Sequence, residues 1–172
     1  MENWYVMQVL SGQEEKIVQK CSLIIDKHLL YECFIPYATK MKKYQGKWHK
    51  IDEVLFKGYV FLITDDIEEL YMQLKKIPDL TKMLGKSDNE IFPLKDNEVN
   101  FLKRFGKDDH IIDISTGYIE GDVIRVLDGP LFGKEGMIKK IDRHKRIAYI
   151  EVDLFNQITT AKVGLEIISK NS

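Results

Sequence analysis

Two stretches of the sequence combine positive charge with aromatic rings, a combination suited to binding phosphate-bearing polymers. The first, residues 38–57, holds six lysines against two carboxylates, a local charge of +4, with Tyr44 and Trp48 among them. Ammonium groups attract phosphates and rings stack on bases, so this stretch is typical of single-stranded nucleic-acid binding. The alternative is a solvated hairpin whose lysines prevent edge pairing. The candidate DNA contacts are Lys40, Lys42 and Lys43.

The second stretch, residues 134–146, has six basic residues against two acidic ones, again a local charge of +4. The whole chain is nearly balanced, with 26 Lys and Arg against 27 Asp and Glu, so this charge is a local patch. Such a patch is the electrostatic footprint of phosphate binding, and we predict that it binds RNA. A charged turn in water is the alternative. The candidate RNA contacts are Lys134, Lys139, Lys140, Arg143, His144, Lys145 and Arg146.

No residue pattern indicates catalysis. The segment Gly129–Glu135 superficially resembles a phosphate-binding P-loop. It has three residues between its glycines where the motif has four, and Glu where Ser or Thr would hold magnesium. The four histidines and two cysteines lack the spacing of metal ligands. We therefore predict a protein that is not an enzyme and that needs no metal or cofactor.

Length and composition narrow the class of protein. The chain has 172 residues, 44% of them hydrophobic and 31% charged, as in a globular protein of one medium domain or two small ones. The longest apolar run, Tyr59–Ile63, is far too short to span a membrane, and the start of the chain has no signal-peptide pattern. Two cysteines fit a reducing compartment. We expect a cytoplasmic monomer with no membrane partner.

The first hundred residues mix helix and strand patterns, which predicts an α+β domain with a mainly antiparallel sheet. Ser11 and Glu14 have the spacing of a capping box at a helix start. Gln45-Gly46 predicts a hairpin turn, and Leu55–Ile63 has the continuous apolar character of a strand covered on both faces. Further elements are predicted as strands at Trp4–Leu10 and Leu80–Leu84 and helices that open at Asp66 and cover Asp96–Phe105.

After a polar linker the pattern becomes all-β. Five short strands in about 55 residues predict a small barrel, because closure removes exposed sheet edges. The predicted strands are Gly121–Leu127, Gly136–Ile141, Ile147–Leu154, Ile158–Val163 and Leu165–Ile168. The predicted organisation is a first domain at residues 1–106, a linker at 107–114 and a second domain at 115–172.

Five fragments, in this order and at these distances, make the chain resemble the NusG family of transcription elongation factors. They are Trp4–Gln8, Ser11-Gly12 with Glu14, Leu55–Phe61, Ile77-Pro78 with Gly85, and Gly121–Val126 continuing through Asp128-Gly129-Pro130 to Gly136. The resemblance covers nearly the whole chain. It implies an NGN domain followed by a five-stranded, SH3-like KOW barrel.

The resemblance also implies a protein partner. In this family the NGN domain docks on the clamp helices of the largest subunit of bacterial RNA polymerase. The matching positions are Trp4, Tyr5, Phe56 and Tyr59. Aromatic side chains suit an interface because they bury a large area with few rotatable bonds. The alternative is that these rings are core residues.

Three departures from the family pattern favour a specialised paralogue, similar to the LoaP or RfaH antiterminators. Lys57 stands where proline usually precedes Gly-Tyr, the turn Asp142–Arg146 is unusually basic, and Asp153–Gln157 only partly matches the loop that contacts ribosomal protein S10 and Rho. Recruitment of S10 or Rho therefore stays open.

The expected function is transcription elongation and antitermination. The NGN domain would bind polymerase and suppress pausing or termination, while the KOW domain holds a hairpin of the nascent transcript. The lysines of the first stretch would contact the non-template DNA strand. The rival hypothesis is a protein-only adaptor that links polymerase to a ribosomal or termination partner, as a general NusG-like factor would.

Overall fold

The computed structural model describes residues 2–77, 80–83, 86–87, 90–154 and 157–169. The predicted strand end at Leu84, the signature residues Pro78 and Gly85, and Phe155-Asn156 of the variable loop lie outside them. The elements are β1 (Asn3–Val9), α1 (Glu14–Ile24), β2 (Glu32–Phe34), β3 (Tyr37–Tyr44), β4 (Lys47–Val54), β5 (Tyr59–Thr64), α2 (Ile67–Leu74), β6 (Leu80–Met83), β7 (Lys86–Ser87), β8 (Glu90–Ile91), α3 (Asp96–Gly106), β9 (Ile111–Ile112), β10 (Ser115–Glu120), β11 (Val123–Asp128), a 3-10 turn (Glu135–Met137), β12 (Ile138–Asp142), β13 (Ile147–Leu154) and β14 (Gln157–Ile167).

The chain forms two compact units. The first contains residues Met1–Ile35 and Phe56–Asn100, and the second contains Pro36–Leu55 and Phe101–Ser172. The α+β prediction is confirmed, since helices and largely antiparallel strands both contribute to the fold. The hairpin β3–β4 thus shares a unit with the C-terminal strands.

The first unit is built on a four-stranded sheet in the order β2-β5-β1-β6. Strand β1 pairs with β5 from Asn3 opposite Thr64 to Gln8 opposite Tyr59. Four consecutive residues of β1, Trp4 to Met7, are all buried. Because successive side chains of a strand point to opposite faces, both faces of β1 must be covered.

The capping-box prediction at α1 is wrong. The helix begins after Gln13, and no side chain caps its first turn. The carboxylate of Glu14 instead accepts hydrogen bonds from two backbone N–H groups, those of Gly12 (2.7 Å) and Gly58 (3.0 Å). Glu14 is 5% exposed. It therefore serves as a buried connector between the turn before α1 and the turn before β5.

The predicted strand Leu55–Ile63 starts later than its apolar residues indicate. Strand β5 covers Tyr59–Thr64, and the preceding residues form a turn. Gly58 adopts φ +85°, a left-handed conformation that side-chain-bearing residues resist. This glycine places the Leu55-Phe56 pair outside the strand although both residues are buried.

The second unit contains the predicted hairpin. Strands β3 and β4 pair from Tyr37 opposite Val54 to Tyr44 opposite Lys47. At the turn, Gln45 and Gly46 both have positive φ, as a two-residue type I′ turn requires. The hairpin forms a three-stranded sheet with β9, which pairs in parallel with β3 and lies within the predicted linker.

The C-terminal strands form one five-stranded sheet in the order β11-β10-β14-β13-β12. The predicted strands at 158–163 and 165–168 are a single strand, β14, which pairs with β13 as far as Gly164 and with β10 from Leu165 onward. Strand β10 was missed by the sequence analysis. This change of partner along β14 curls the sheet, as in a small barrel.

Strand β14 also lies against β3 of the hairpin. At Gly164 the approach is so close that a side chain's Cβ atom would stand 2.6 Å from the carbonyl oxygen of Thr39 and 2.8 Å from Cγ1 of Ile114. Only glycine fits between these atoms without displacing backbone. The C-terminal sheet therefore positions the hairpin.

Within the described residues no helix has the length and apolar character needed to cross a membrane. In the same part of the chain, no three His, Cys, Asp or Glu side chains are grouped so that they could bind a metal ion.

Candidate nucleic-acid interface

The three candidate lysines of the hairpin have different environments. Lys40 is 7% exposed and its ammonium pairs with the carboxylate of Glu53. Lys42 and Lys43 are exposed, and as neighbours on β3 they point to opposite faces of the hairpin. The structure therefore assigns Lys40 to an internal ion pair, which corrects its predicted role as a DNA contact. Lys42 and Lys43 keep free access to a ligand.

The turn between β12 and β13 presents most of the second basic stretch. Asp142 Oδ1 accepts a hydrogen bond from the Lys145 backbone N–H (3.0 Å), which shapes the turn. Arg143, His144 and Lys145 are exposed at its tip. Three cationic or titratable side chains thus project together from one short turn.

Arg146 ends this turn and reaches the hairpin. Its guanidinium lies 4.0 Å from the centroid of the Trp48 ring, a cation–π contact. Its Nη1 is also 3.5 Å from Oε1 of Glu166. The residue has φ +57° and is half-buried, so it is the anchored member of the turn rather than a mobile surface cation.

The hairpin and the turn enclose a cleft of about 670 Å³ within the second unit. Basic residues from both segments and from β14 line it, and Glu53, already paired with Lys40, is the one carboxylate among its described lining residues. Trp48, Met41 and Ile51 supply apolar surface. The basic lining residues are Lys40, Lys42, Lys43, Arg143, His144, Lys145, Arg146 and Lys162.

This arrangement joins two stretches that are about 100 residues apart in the sequence. A cleft lined by several cations attracts phosphates, and the Trp48 ring, covered on one face by Arg146, adds an aromatic surface beside them. Arginine guanidinium groups also form two-pronged hydrogen bonds with phosphate oxygens. The geometry therefore suits a polynucleotide better than a small neutral ligand.

Lys134, Lys139 and Lys140 are exposed but are not among the residues that line the cleft. Lys134 precedes the 3-10 turn, and the other two lie on β12. Lys162 lines the cleft from β14 and was not among the predicted contacts. Its alternation with buried Ala161 and Val163 marks it as outward-facing, but only the strand order shows which surface it joins.

The four aromatic candidates for polymerase binding lie in the first unit, where most of them are core residues. Trp4, Tyr5 and Phe56 are 8%, 4% and 2% exposed. Burial also raises the pKa of the Tyr5 hydroxyl. Tyr59 is half-buried and is the one of the four that presents substantial surface.

The packing explains these positions. The Trp4 ring meets Phe34 edge to face at 5.3 Å, and Phe34 stacks on Phe61 at 5.5 Å. Phe56 packs against the same Phe61 at 6.2 Å. The structure therefore favours the core alternative for Trp4, Tyr5 and Phe56, whose rings stabilise the sheet, and leaves Tyr59 as the accessible candidate.

Comparison with known proteins covers nearly the whole chain. Residues 2–103 match the family model described as transcription termination factor NusG, and residues 120–152 match the KOW motif. The chain is 25% identical to the transcription termination/antitermination protein NusG of Vibrio cholerae, over 98% of this chain and 96% of that protein. It is 28% identical to the protein of that name from Streptococcus pyogenes, over 95% and 93%.

A solved structure shares the fold. It is titled as a domain interaction in Thermotoga maritima NusG and superposes with a TM-score of 0.57 at 23% identity, covering 95% of this chain and 94% of that one.

Proposed function

The chain belongs to the NusG family of transcription termination and antitermination factors, and from this premise we propose that it suppresses pausing or termination by binding RNA polymerase and RNA together. The RNA site is the basic cleft between the hairpin β3–β4 and the β12–β13 turn. The polymerase site is on the first unit, around Tyr59. This action takes place in the cytoplasm and requires no chemical step.

The proposed RNA binding rests on the basic lining of the cleft. Seven described lysines and arginines line it, and its one described carboxylate, Glu53, is paired with one of them, Lys40, which leaves six further basic residues. This excess of positive charge favours a ligand that carries negative charge. The nascent transcript is such a ligand, and a structured element in it is the form we propose for the cleft.

A binding protein can alter transcription without catalysis. A ligand that binds one polymerase state more tightly than another shifts the population toward that state. A difference of about 1.4 kcal/mol changes the ratio of the two states tenfold. Holding RNA in the cleft while the first unit holds polymerase also raises the effective concentration of each contact.

Two finer points belong to the proposal. We assign polymerase binding to residues 1–106 and RNA binding to residues 115–172, joined by 107–114, with Trp48, Lys42 and Lys43 of the hairpin adding to the RNA site. We also place the protein in a specialised antitermination branch of the LoaP or RfaH kind. The unusually basic turn supports this placement, because Arg143 and Lys145 are exposed and free to bind RNA.

The test combines RNA binding with transcription. Full-length protein is titrated with labelled hairpin RNAs from candidate leader regions, and R143Q/K145Q is compared with K16Q/K27Q, a matched pair of exposed lysines in the first unit. We expect only R143Q/K145Q to lose affinity, with the slope of log affinity against log salt reduced by about one to two.

In a purified transcription reaction the wild-type protein should add read-through at a terminator, and R143Q/K145Q should add less. Failure of the wild-type protein to bind polymerase, or to change termination at all, would refute the proposed function.

The adaptor alternative rests on an apolar surface of the second unit. Val123 and Leu127, both on β11, are each 51% exposed. Exposed apolar groups of this kind mark protein contacts when they are contiguous. V123S/L127S should leave RNA binding unchanged under either hypothesis. Under the adaptor hypothesis this variant, and not R143Q/K145Q, would lose activity in a coupled transcription–translation extract.

A further inference from the structure

Three residues form a row across the outer face of the C-terminal sheet. In the strand register, Lys140 of β12 lies opposite Tyr149 of β13, and Tyr149 lies opposite Lys162 of β14. Directly opposed residues on adjacent strands point to the same face. The tyrosine ring is therefore flanked by one lysine on each side.

Both ammonium groups lie over the ring, one from each neighbouring strand. Lys140 Nζ is 5.4 Å from the ring centroid of Tyr149, and Lys162 Nζ is 5.7 Å from it. Tyr149 is half-buried, while its neighbours Ala148 and Ile150 are fully buried on the inner face. The ring is thus held in place by the sheet with part of its surface open to solvent.

The row adjoins the cleft. Lys162 and Ile147 line the cleft, and Ile147 is on the same face of β13 as Tyr149, two residues away. On the other side of Tyr149, Glu151 is exposed on this face, opposite Thr160. Positive charge therefore extends from the cleft to Tyr149 and ends at a carboxylate.

We propose that Lys140, Tyr149 and Lys162 form a stacking site for one unpaired nucleotide that leaves the cleft. The base stacks on the Tyr149 ring in place of the ammonium groups, which turn from the ring to the phosphates on either side, because stacking of a base is worth more than a cation–π contact at an exposed site. Glu151 repels a further phosphate and so marks the end of the bound segment. This site deepens the proposed function, on which it rests, by adding single-strand recognition to a cleft that holds structured nucleic acid.

The test measures binding of full-length protein to a fluorescein-labelled single strand of about 12 nucleotides, within the size range of known single-strand sites. Two probes of one sequence, RNA and DNA, distinguish the transcript from the exposed DNA strand as the source of the nucleotide. Y149V removes the ring but keeps a residue suited to a strand, and Y149F keeps the ring without the hydroxyl. Thermal unfolding confirms that each variant is folded.

We expect Y149V to weaken binding by about 5- to 100-fold and Y149F to bind like the wild-type protein. Because Y149V removes no charge, its salt slope should not change. K140Q and K162Q should each lower the slope by about 0.7, whereas K16Q, on α1 of the first unit, should not. E151Q should strengthen binding.

Equal binding by folded Y149V and wild-type protein would overturn the stacking site, as would unchanged salt slopes in both K140Q and K162Q. These results can be told apart from failure of the proposed function. If R143Q/K145Q loses affinity for hairpin RNA while Y149V binds the single strand normally, the cleft stands and the row is wrong. If the wild-type protein binds neither the hairpin RNA nor the single-stranded RNA, both the stacking site and the proposed function are wrong.

Discussion

The guanidinium of Arg146 lies over the indole ring of Trp48, 4.0 Å from its centroid. One residue belongs to the turn between β12 and β13 and the other to the hairpin strand β4. Planar guanidinium groups stack on aromatic faces in a way that ammonium groups do not reproduce. Both residues line the cleft, so the contact joins the hairpin to the turn beside it.

Trp48 should report on this contact by its fluorescence. The chain has two tryptophans, so in a W4F background Trp48 is the sole source of tryptophan fluorescence. We expect R146A to shift its emission to longer wavelength, because the ring loses its cover, and R146K to give an intermediate shift. A double-mutant cycle with W48L should yield a coupling of about 1 kcal/mol. Identical emission from R146A and its parent would contradict the stacked geometry.

The hairpin lysines should separate into two classes. K40A removes the buried ammonium that pairs with the Glu53 carboxylate and should lower the free energy of unfolding by about 2 kcal/mol. K42A and K43A alter exposed side chains and should change it by less than about 0.5 kcal/mol, while both weaken nucleic-acid binding.

Urea unfolding followed by Trp48 emission in the W4F background measures the first effect, and titration with labelled single strands measures the second. If K40A were as stable as K42A, the ion pair would have no structural role.

Glu14 should stabilise the first unit through its two glycine partners. E14A leaves the N–H groups of Gly12 and Gly58 without their acceptor, and an unpaired donor costs about 1–3 kcal/mol where it is buried, as it is at Gly58. We expect a total loss of about 2 kcal/mol or more, and a smaller loss in E14Q, which keeps one side-chain oxygen.

In a W48F background the remaining tryptophan, Trp4, belongs to the first unit and follows its unfolding. Equal losses in E14A and E14Q would mean that the charge, rather than the acceptor, is what the site needs.

The turn before β12 should depend on pH. Hydrogen bonds from backbone N–H groups, that of Glu135 itself and those of Val126 and Gly133 (3.3 Å each), hold the pKa of the Glu135 carboxyl below its usual range. A lowered pKa in the folded state means that the ionised carboxylate stabilises the fold. This contribution is present above the carboxyl's unfolded pKa and is lost as the pH falls through the lowered value.

Thermal unfolding of E135Q should therefore begin at a lower temperature than that of the wild-type protein at neutral pH, and the two should converge in acid. A difference that persists undiminished in acid would show that the charge of Glu135 contributes nothing.

Local sequence patterns predicted several elements correctly. They failed where the local structure depends on a contact with a residue far away in the sequence. Gln45-Gly46 is sufficient to specify a hairpin turn, and Asp66 caps α2 by accepting from the Glu69 N–H (3.2 Å), as an Asp at that position should. Glu14 has capping-box spacing, but Gly58, more than forty residues away, takes its carboxylate. Gly164 resembles a break between two strands because its close contact with Thr39 is invisible in the sequence.

The candidate site shows the same limit. Each basic stretch is evident from composition, yet nothing local shows that Lys42 and Arg143 line one cleft, or that Lys40 is paired inside the fold. Three of the four aromatic candidates, Trp4, Tyr5 and Phe56, are core residues, and the sequence could not show this for a related reason. Residue type identifies Phe56 as a large apolar side chain, but only packing distinguishes a core ring from an interface ring.

The bare backbone at Gly164 has an evolutionary consequence. A methyl group there would collide with Thr39 and Ile114. Even alanine, the smallest replacement, therefore cannot occupy this site while the hairpin stays packed against β14. Any substitution of the glycine would displace the hairpin from β14 at once, and the hairpin forms one wall of the cleft. Variation at this one codon among close orthologues should therefore coincide with relaxed selection on Trp48 and Arg146.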